Sequence, residues 1–308
     1  MPTSAESGPE LPTAGIEETL RVATSPGVAP TVVFCNGLGE TLDFWHPVLT
    51  RLDGIATFRY DRPGRELTQL GQGLAGEVDE IDRITAGIEG PVIMVGHSFG
   101  GVLAEAYARL RPARLAGLVL VDASTPTEYA DEAGDEHGRR RVGRVRSAAT
   151  STLLRDSVRP ALKFVLPKAM IGLGTTTSST RGILAVLPPE LSDRLSDPRH
   201  IARTMHDNQH IGGYCRDLLE LRDRDPLPEI PVRVLVGRLG PRVWRREQKS
   251  WIADQRQQLG SFGDNVTLTL LDSAHMVMLD CPDEVAATIR DLHADAQVDA
   301  AGGNTGPV

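Results

Sequence analysis

The chain has 308 residues, enough for one large α/β domain or two ordinary ones. Hydrophobic residues make up 40% and charged residues 24% of it, which is typical of a water-soluble globular protein with a substantial core. The formal net charge of −8 argues against a nucleic-acid-binding surface, because phosphate contacts need a dense face of lysine and arginine.

Six short apolar runs, separated by longer helix-compatible segments, predict an α/β fold with a doubly wound, mostly parallel sheet. Four of the runs are nearly continuous and rich in β-branched residues, as in strands buried on both faces. The fifth run contains Arg233, and in the sixth Thr267 and Thr269 alternate with apolar residues. These polar residues predict that the last two strands lie nearer an edge of the sheet. Residues 17–24 are compatible with an additional antiparallel strand. The six runs are 31–35, 56–60, 91–95, 115–121, 232–236 and 266–271.

The alternation stops after Ser124 and resumes at Pro231, and the intervening residues are mostly helix-compatible. An insertion between two core strands emerges at the carboxyl edge of the sheet, where a lid over a site would lie. We therefore predict a helical cap over residues 125–225, between core segments 15–124 and 226–296. The ends, 1–14 and 297–308, are rich in small and polar residues and are predicted to be disordered tails.

The strongest local motif is Gly-His-Ser-Phe-Gly-Gly at residues 96–101, between a predicted strand and a predicted helix. A chain that turns sharply from strand to helix needs small residues on both sides of a strained serine. The turn lifts the Ser98 hydroxyl clear of the sheet and sets it at a helix N-terminus, where negative charge is favoured. The motif predicts that Ser98 is a nucleophile.

A serine hydroxyl is a poor nucleophile unless a base lies within hydrogen-bond reach. His275 directly follows the last predicted strand, and a helix is predicted to begin at Pro282. Among the eight histidines it alone leaves a core strand late in the chain, which predicts it as the base. The alternative is an ordinary histidine in a surface loop.

An oxyanion hole needs two N–H donors aimed at the developing negative charge. The backbone N–H of Phe99 is one candidate. The turn Asn-Gly-Leu-Gly at residues 36–39 follows the first buried strand and offers the N–H of Leu38 as the second, since its glycines allow a ligand to come close. The alternative is an ordinary strand-to-helix turn.

Together, the NGLG turn, YDRPG at 60–64, GHSFGG, LVLVDAS at 118–124, and His275 followed by LDCPD at 279–283 resemble the α/β-hydrolase superfamily. The likeness covers both core segments, about two thirds of the chain, and leaves the cap without a recognisable motif. It implies that Ser98, His275, Phe99 and Leu38 occupy the nucleophile, base and oxyanion positions of the family.

The acid of the triad departs from the common family pattern. Most members carry it just after the penultimate strand, but residues 236–244 contain no carboxylate. Some members place it after the preceding core strand, which points to Asp122. There it would hold His275 in the right tautomer and stabilise the imidazolium. The alternatives are that Asp122 only caps the first turn of the cap, or that Glu247 is the acid.

These residues predict a serine hydrolase that cleaves a carboxylic ester, thioester or lactone, needs no cofactor, and acts on a small molecule with an apolar acyl portion. The alternatives are a non-hydrolytic ligand-binding protein on the same fold, and C–C hydrolase, lyase or acyltransferase chemistry with the same triad. His206, His210 and Cys215 are a conceivable zinc set, but no fourth ligand is evident.

The location is predicted to be cytoplasmic. Cys35, Cys215 and Cys281 are widely spaced, odd in number and free of any CxxC pattern, which favours a reducing compartment. The first residues have neither the basic nor the apolar region of a signal peptide, and no apolar run reaches the ~20 residues of a membrane span.

Overall fold

The fold is taken from a computed structural model of the chain. It describes residues 21–62, 73–130, 171, 174–176, 187–188, 190–239 and 245–302, without the side chains of 128, 130, 245–247 and 299–302. The tail predicted at 1–14 and most of the predicted cap, including 131–170, lie outside these residues.

A seven-stranded sheet forms the centre of the molecule, in the order β1-β3-β2-β4-β5-β6-β7. Among the described strands only β1 is antiparallel, paired with β3, and the other pairs are parallel. The predicted doubly wound, mostly parallel sheet is confirmed, and so is the position of the last two strands near an edge. The strands are β1 Val22–Ser25, β2 Val28–Cys35, β3 Ile55–Tyr60, β4 Val92–His97, β5 Leu115–Val121, β6 Val232–Gly237 and β7 Val266–Leu271.

Helices cover both faces of this sheet. The described α-helices are α1 His46–Leu49, α2 Gly73–Ile84, α3 Phe99–Leu110, α4 Pro126–Ala130, α5 Leu191–Leu195, α6 Pro198–Arg224, α7 Arg245–Gln257, α8 Val277–Asp280 and α9 Pro282–Gly302. Short 3-10 segments lie at Leu42–Trp45, Pro112–Arg114 and Gln258–Phe262.

The two apolar cores follow from the alternation of side chains along each strand. On β2, Val33 and Cys35 belong to the core under α2, α3 and α6. Val32 and Phe34 point the other way, into the core under α1, α8 and α9. All four are fully buried, which explains why the sequence is apolar at consecutive positions and not only at alternate ones.

Two predicted boundaries need correction. The second half of α6, with Tyr214 and Leu218, packs in the core beneath the sheet, so the cap does not extend unbroken to 225. At the other end of the chain, α9 continues to Gly302, beyond the tail boundary predicted at 297. Ala300 and Ala301 favour helix strongly, which accounts for the helix beyond residue 297.

Candidate active site

Ser98 occupies a strained turn between β4 and α3. Its φ of 51° and ψ of −124° lie where side chains are rarely accommodated. A Cβ on Gly96 would lie 2.3 Å from the carbonyl oxygen of Gly100, and one on Gly100 would lie 2.2 Å from that of Cys35. The small residues flanking the serine are therefore required by the closeness of the backbone, as the motif predicts.

Main-chain hydrogen bonds hold this turn against β5. The N–H of Ser98 donates to the carbonyl of Val121 at 3.2 Å. The carbonyl of Ser98 accepts from Gly101 at 2.9 Å and from Ser124 at 3.0 Å. Ser98 is half-buried and directly precedes the twelve-residue helix α3. Its hydroxyl thus lies at the positive end of a helix dipole.

His275 and Asp122 meet at the carboxyl edge of the sheet. Nδ1 of His275 lies 2.7 Å from Oδ2 of Asp122. The carboxylate can only accept, so Nδ1 carries the hydrogen and Nε2 is left able to take up a proton. The His275 side chain is 43% exposed and that of Asp122 is 2% exposed. The pair therefore presents its imidazole to solvent and its carboxylate to the interior.

The second carboxylate oxygen of Asp122 is also fully engaged. Oδ1 accepts from the N–H of Gly237 at 3.1 Å and from Nε1 of Trp251 at 3.0 Å. The ring of Trp251 also meets that of His275 edge-on, with centroids 6.0 Å apart. Asp122 itself has a φ of 42°, a second strained position beside Ser98. The last residue of β6, at the edge of the segment that lacks a carboxylate, thus donates to an aspartate that directly follows β5.

The structure brings Ser98 and His275 to the same edge without a direct hydrogen bond. His97, the residue before Ser98, has its ring centroid 4.7 Å from that of His275. Within the described ranges, no hydrogen bond joins the Ser98 hydroxyl to the His275 imidazole. Such bonds are often long in ligand-free hydrolases and tighten when substrate is bound.

The loop after β2 is fixed at several points. Asn36 donates through Nδ2 to the carbonyl of Tyr60 at 2.8 Å and accepts from Nε1 of Trp45 at 2.9 Å. His200 of α6 bonds through Nε2 to the carbonyl of Gly39 at 3.0 Å. These contacts fix the backbone on both sides of Leu38.

Leu38 and Phe99 both have free main-chain N–H groups. In the described part of the chain, neither N–H has a hydrogen-bond partner. Phe99 is the first residue of α3, and the first N–H groups of a helix have no acceptor within it. Both groups therefore keep a hydrogen-bonding capacity that the described contacts do not use.

A buried series of side chains with alternating charge contacts the loop after β2. Arg62 donates through Nη2 to the carbonyl of Gly37 at 3.1 Å, and the same nitrogen lies 3.2 Å from Asp207. Asp207 in turn pairs with Arg203 at 2.9 Å, and Arg203 pairs with Glu77. Burial by itself would raise the pKa of Asp207, but Arg62, His206 and Arg203 lower it to about 2.

The histidines considered as zinc ligands form a different arrangement. The rings of His206 and His210 stack at 4.1 Å, and Nδ1 of His210 bonds to the carbonyl of His206 at 2.8 Å. Cys215 is buried in the core cluster. Among the residues that the structure describes, no group of three or more histidine, cysteine or carboxylate side chains is placed to hold a metal ion.

Three residues that form hydrogen bonds in the candidate site are not predicted from the sequence. Trp251 and Gly237 donate hydrogen bonds to Asp122. Glu40 belongs to no recognised motif, although it directly follows the Asn-Gly-Leu-Gly turn. A carboxylate next to a glycine-rich turn is the only sequence signal among them. Glu247 lies on α7, and its side chain is outside the described part.

No helix in the described ranges is both long and apolar enough to cross a membrane.

Comparison with known proteins agrees with this architecture. Uncharacterized protein YqjL of Bacillus subtilis (strain 168) is 30% identical over 100 residues, which are 30% of this chain and 39% of that protein. This match therefore spans less than half of the relative's length. Among solved structures, ALR0039 from Nostoc sp PCC 7120 superposes with a TM-score of 0.64 at 17% identity, over 89% of this chain and 93% of that one.

The enol-lactonase from Burkholderia xenovorans LB400 has the same fold, with a TM-score of 0.58, 18% identity, and coverage of 89% of this chain and 95% of that one. The model of the alpha/beta hydrolase family matches residues 32–288, which extend from β2 into α9 and include Ser98, Asp122 and His275. On this match and the sheet order, the chain belongs to the alpha/beta hydrolase family.

Proposed function

We propose that this chain is a serine hydrolase that cleaves a carboxylic ester, thioester or lactone through an acyl-enzyme on Ser98. The observation that carries the proposal is the 2.7 Å contact between His275 Nδ1 and Asp122, which leaves Nε2 as an available base. The strained, half-buried serine at the start of α3 supplies the partner for that base. The free N–H groups of Leu38 and Phe99 support an oxyanion hole.

In the proposed reaction, Ser98 Oγ attacks the carbonyl carbon while Nε2 of His275 takes its proton. The N–H groups of Leu38 and Phe99 hold the oxygen that becomes negative. When the tetrahedral intermediate collapses, the bond to the leaving group breaks, and His275 gives its proton to that group. A water molecule then attacks the acyl-enzyme with His275 again as base, which releases the acid and restores Ser98.

Asp122 supports this cycle without itself being protonated. Its carboxylate fixes the hydrogen on Nδ1 and stabilises the imidazolium that forms at each step. Because Asp122 is almost fully buried, its charge acts on the ring with little screening by water. We also expect an apolar acyl or alcohol portion in the substrate, on the composition of residues 125–225, and a cytoplasmic location; both stay predictions.

A panel of p-nitrophenyl esters graded by chain length tests the proposal. Wild type should release p-nitrophenol together with the free acid, and Ser98→Ala should lose about 10⁴-fold or more in kcat. Acyl transfer to an added alcohol in place of water would identify an acyltransferase. A folded wild type that turns over no ester, or a Ser98→Ala variant of unchanged kcat, would contradict the proposal.

A further inference from the structure

His97 and Glu40 form a buried contact between the loop of His275 and the loop of Leu38. Neither residue has a part in the reaction proposed above. His97 is fully buried at the end of β4, and its Nε2 lies 2.9 Å from the carbonyl oxygen of His275. A carbonyl only accepts, so Nε2 carries a hydrogen and donates it. His97 therefore fixes the backbone of the loop that carries the proposed base.

The other ring nitrogen faces Glu40. Nδ1 of His97 lies 2.7 Å from Oε1 of Glu40, close enough for an ion pair although it lacks the alignment of a hydrogen bond. The two side chains are 0% and 2% exposed. Desolvation alone would lower the pKa of His97, but the charge of Glu40 and the carbonyl of His275 raise it above its ordinary value. The two acceptors therefore make the charged form of the ring more favourable than it is in a free histidine.

Glu40 passes this contact on to the loop of Leu38. Its Oε2 accepts from the N–H of Gly37 at 2.6 Å, and the N–H of Glu40 donates to the carbonyl of Gly37 at 3.3 Å. A Cβ on Gly37 would lie 2.8 Å from the carboxylate, so only glycine leaves room for it. The carboxylate thus closes the turn whose Leu38 N–H is proposed to hold the oxyanion.

We propose that His97 and Glu40 are positioning residues, a buried link that sets the base His275 and the oxyanion donor Leu38 at a fixed separation. This inference rests on the proposed function. Both side chains hold main-chain atoms of a neighbouring loop, and the ring of His97 also lies against that of His275, with centroids 4.7 Å apart. The link couples the two loops on either side of the nucleophile. Its contacts run from the carbonyl of His275 through His97 and Glu40 to Gly37, and Ser98 directly follows His97 in the sequence.

Four variants and one control test the link. His97→Leu removes the polar contacts of the ring with Glu40 and with the carbonyl of His275, together with its packing against the His275 ring, whereas His97→Gln keeps an amide that can donate to that carbonyl. Glu40→Gln keeps an acceptor for Gly37 but removes the charge, and the fourth variant combines it with His97→Leu. The control is Glu105→Gln, a 3% exposed carboxylate on α3 that pairs with Arg109 and Arg222, away from both loops.

We expect His97→Leu and Glu40→Gln to lower kcat by about 10- to 100-fold with little change in KM, because a small displacement of catalytic groups has effects of this size. His97→Gln should retain more activity than His97→Leu. The double variant should be no worse than the poorer single variant, because both substitutions break the same link. Glu105→Gln should keep kcat even where it lowers Tm.

Amide hydrogen exchange gives a readout independent of turnover. Exchange should rise in residues 36–42 and 272–278 of His97→Leu, and in neither segment of Glu105→Gln. Unchanged exchange in both segments overturns the link, whether or not the protein hydrolyses esters. If wild type hydrolyses an ester, kcat values of His97→Leu and Glu40→Gln close to wild type also overturn it. If wild type hydrolyses none while exchange rises as expected, the proposed function fails and the link stands.

Discussion

Replacement of Asp122 by asparagine tests the triad at its least usual residue. The side chain keeps its shape and can take two orientations. With its oxygen at the Oδ1 position, it still accepts from Gly237 and Trp251, and its NH₂ group faces Nδ1 of His275. With the reverse orientation, the buried N–H of Gly237 and the part-buried N–H of Trp251 lose their acceptor, at about 1–3 kcal/mol each.

The preferred orientation therefore forces His275 into the wrong tautomer. Nδ1 must accept from the amide, so the hydrogen moves to Nε2, which can no longer take the proton of Ser98. Recovery of the active tautomer needs the reverse orientation, at a total of about 2–6 kcal/mol. A loss of about 10⁴-fold in kcat, the effect of a wrong tautomer in a catalytic triad, corresponds to ~5.5 kcal/mol and lies within this range.

The assay is kcat on the best p-nitrophenyl ester, with the Tm of each variant as a test of folding. Asp82→Asn is the matched control, an aspartate on α2 that binds Arg111 and Tyr107 and should leave kcat unchanged. An Asp122→Asn variant that keeps kcat within about tenfold of wild type would refute the reasoning, since the tautomer of His275 would then not depend on Asp122.

Three further predictions follow from contacts of the same region. Trp251→Phe removes one of the two donors to Oδ1 of Asp122 and should lower kcat by less than about tenfold. In the Trp251→Phe background, Asp122→Asn should also lower kcat by a smaller factor than it does in wild type. The two factors would be equal if the two side chains acted independently. Gly100→Ala should cost more than about 3 kcal/mol of unfolding free energy in urea, because the new methyl meets backbone, whereas Gly213→Ala has open space in α6 and should stabilise by up to about 1 kcal/mol. The lowered pKa of Asp207 contributes stability that is present above about pH 4 and is lost as the pH falls towards 2. The free energy of unfolding in urea should therefore fall between about pH 5 and pH 3 by roughly 1–2 kcal/mol more in wild type than in Asp207→Asn. An equal fall in both proteins would contradict the assignment.

Local sequence carries most of the architecture. The six predicted runs all become strands, because runs of β-branched residues suit strands that are buried on both faces. The glycines around Ser98 are predicted equally well from the motif, since a Cβ on Gly100 would collide with the end of β2 and one on Gly96 with the first turn of α3. The position of Asp122 beside His275 agrees with the family resemblance, while its part in catalysis stays a proposal.

The partners that surround these residues cannot be read in the same way. Trp251 lies on α7, and its contact with Asp122 depends on how that helix packs against the end of β5. Glu40 and His97 meet only after β2 and β4 pair in parallel, which brings the ends of the two strands together. Such contacts join residues with no shared periodicity or motif, so only the tertiary structure reveals them.

Labelling with a fluorophosphonate probe, followed by peptide mass mapping, tests the central claim most directly. Folded wild type should carry one adduct, on Ser98, and Ser98→Ala should carry none. A folded wild type that is never labelled, or an adduct on a different residue, would contradict the account.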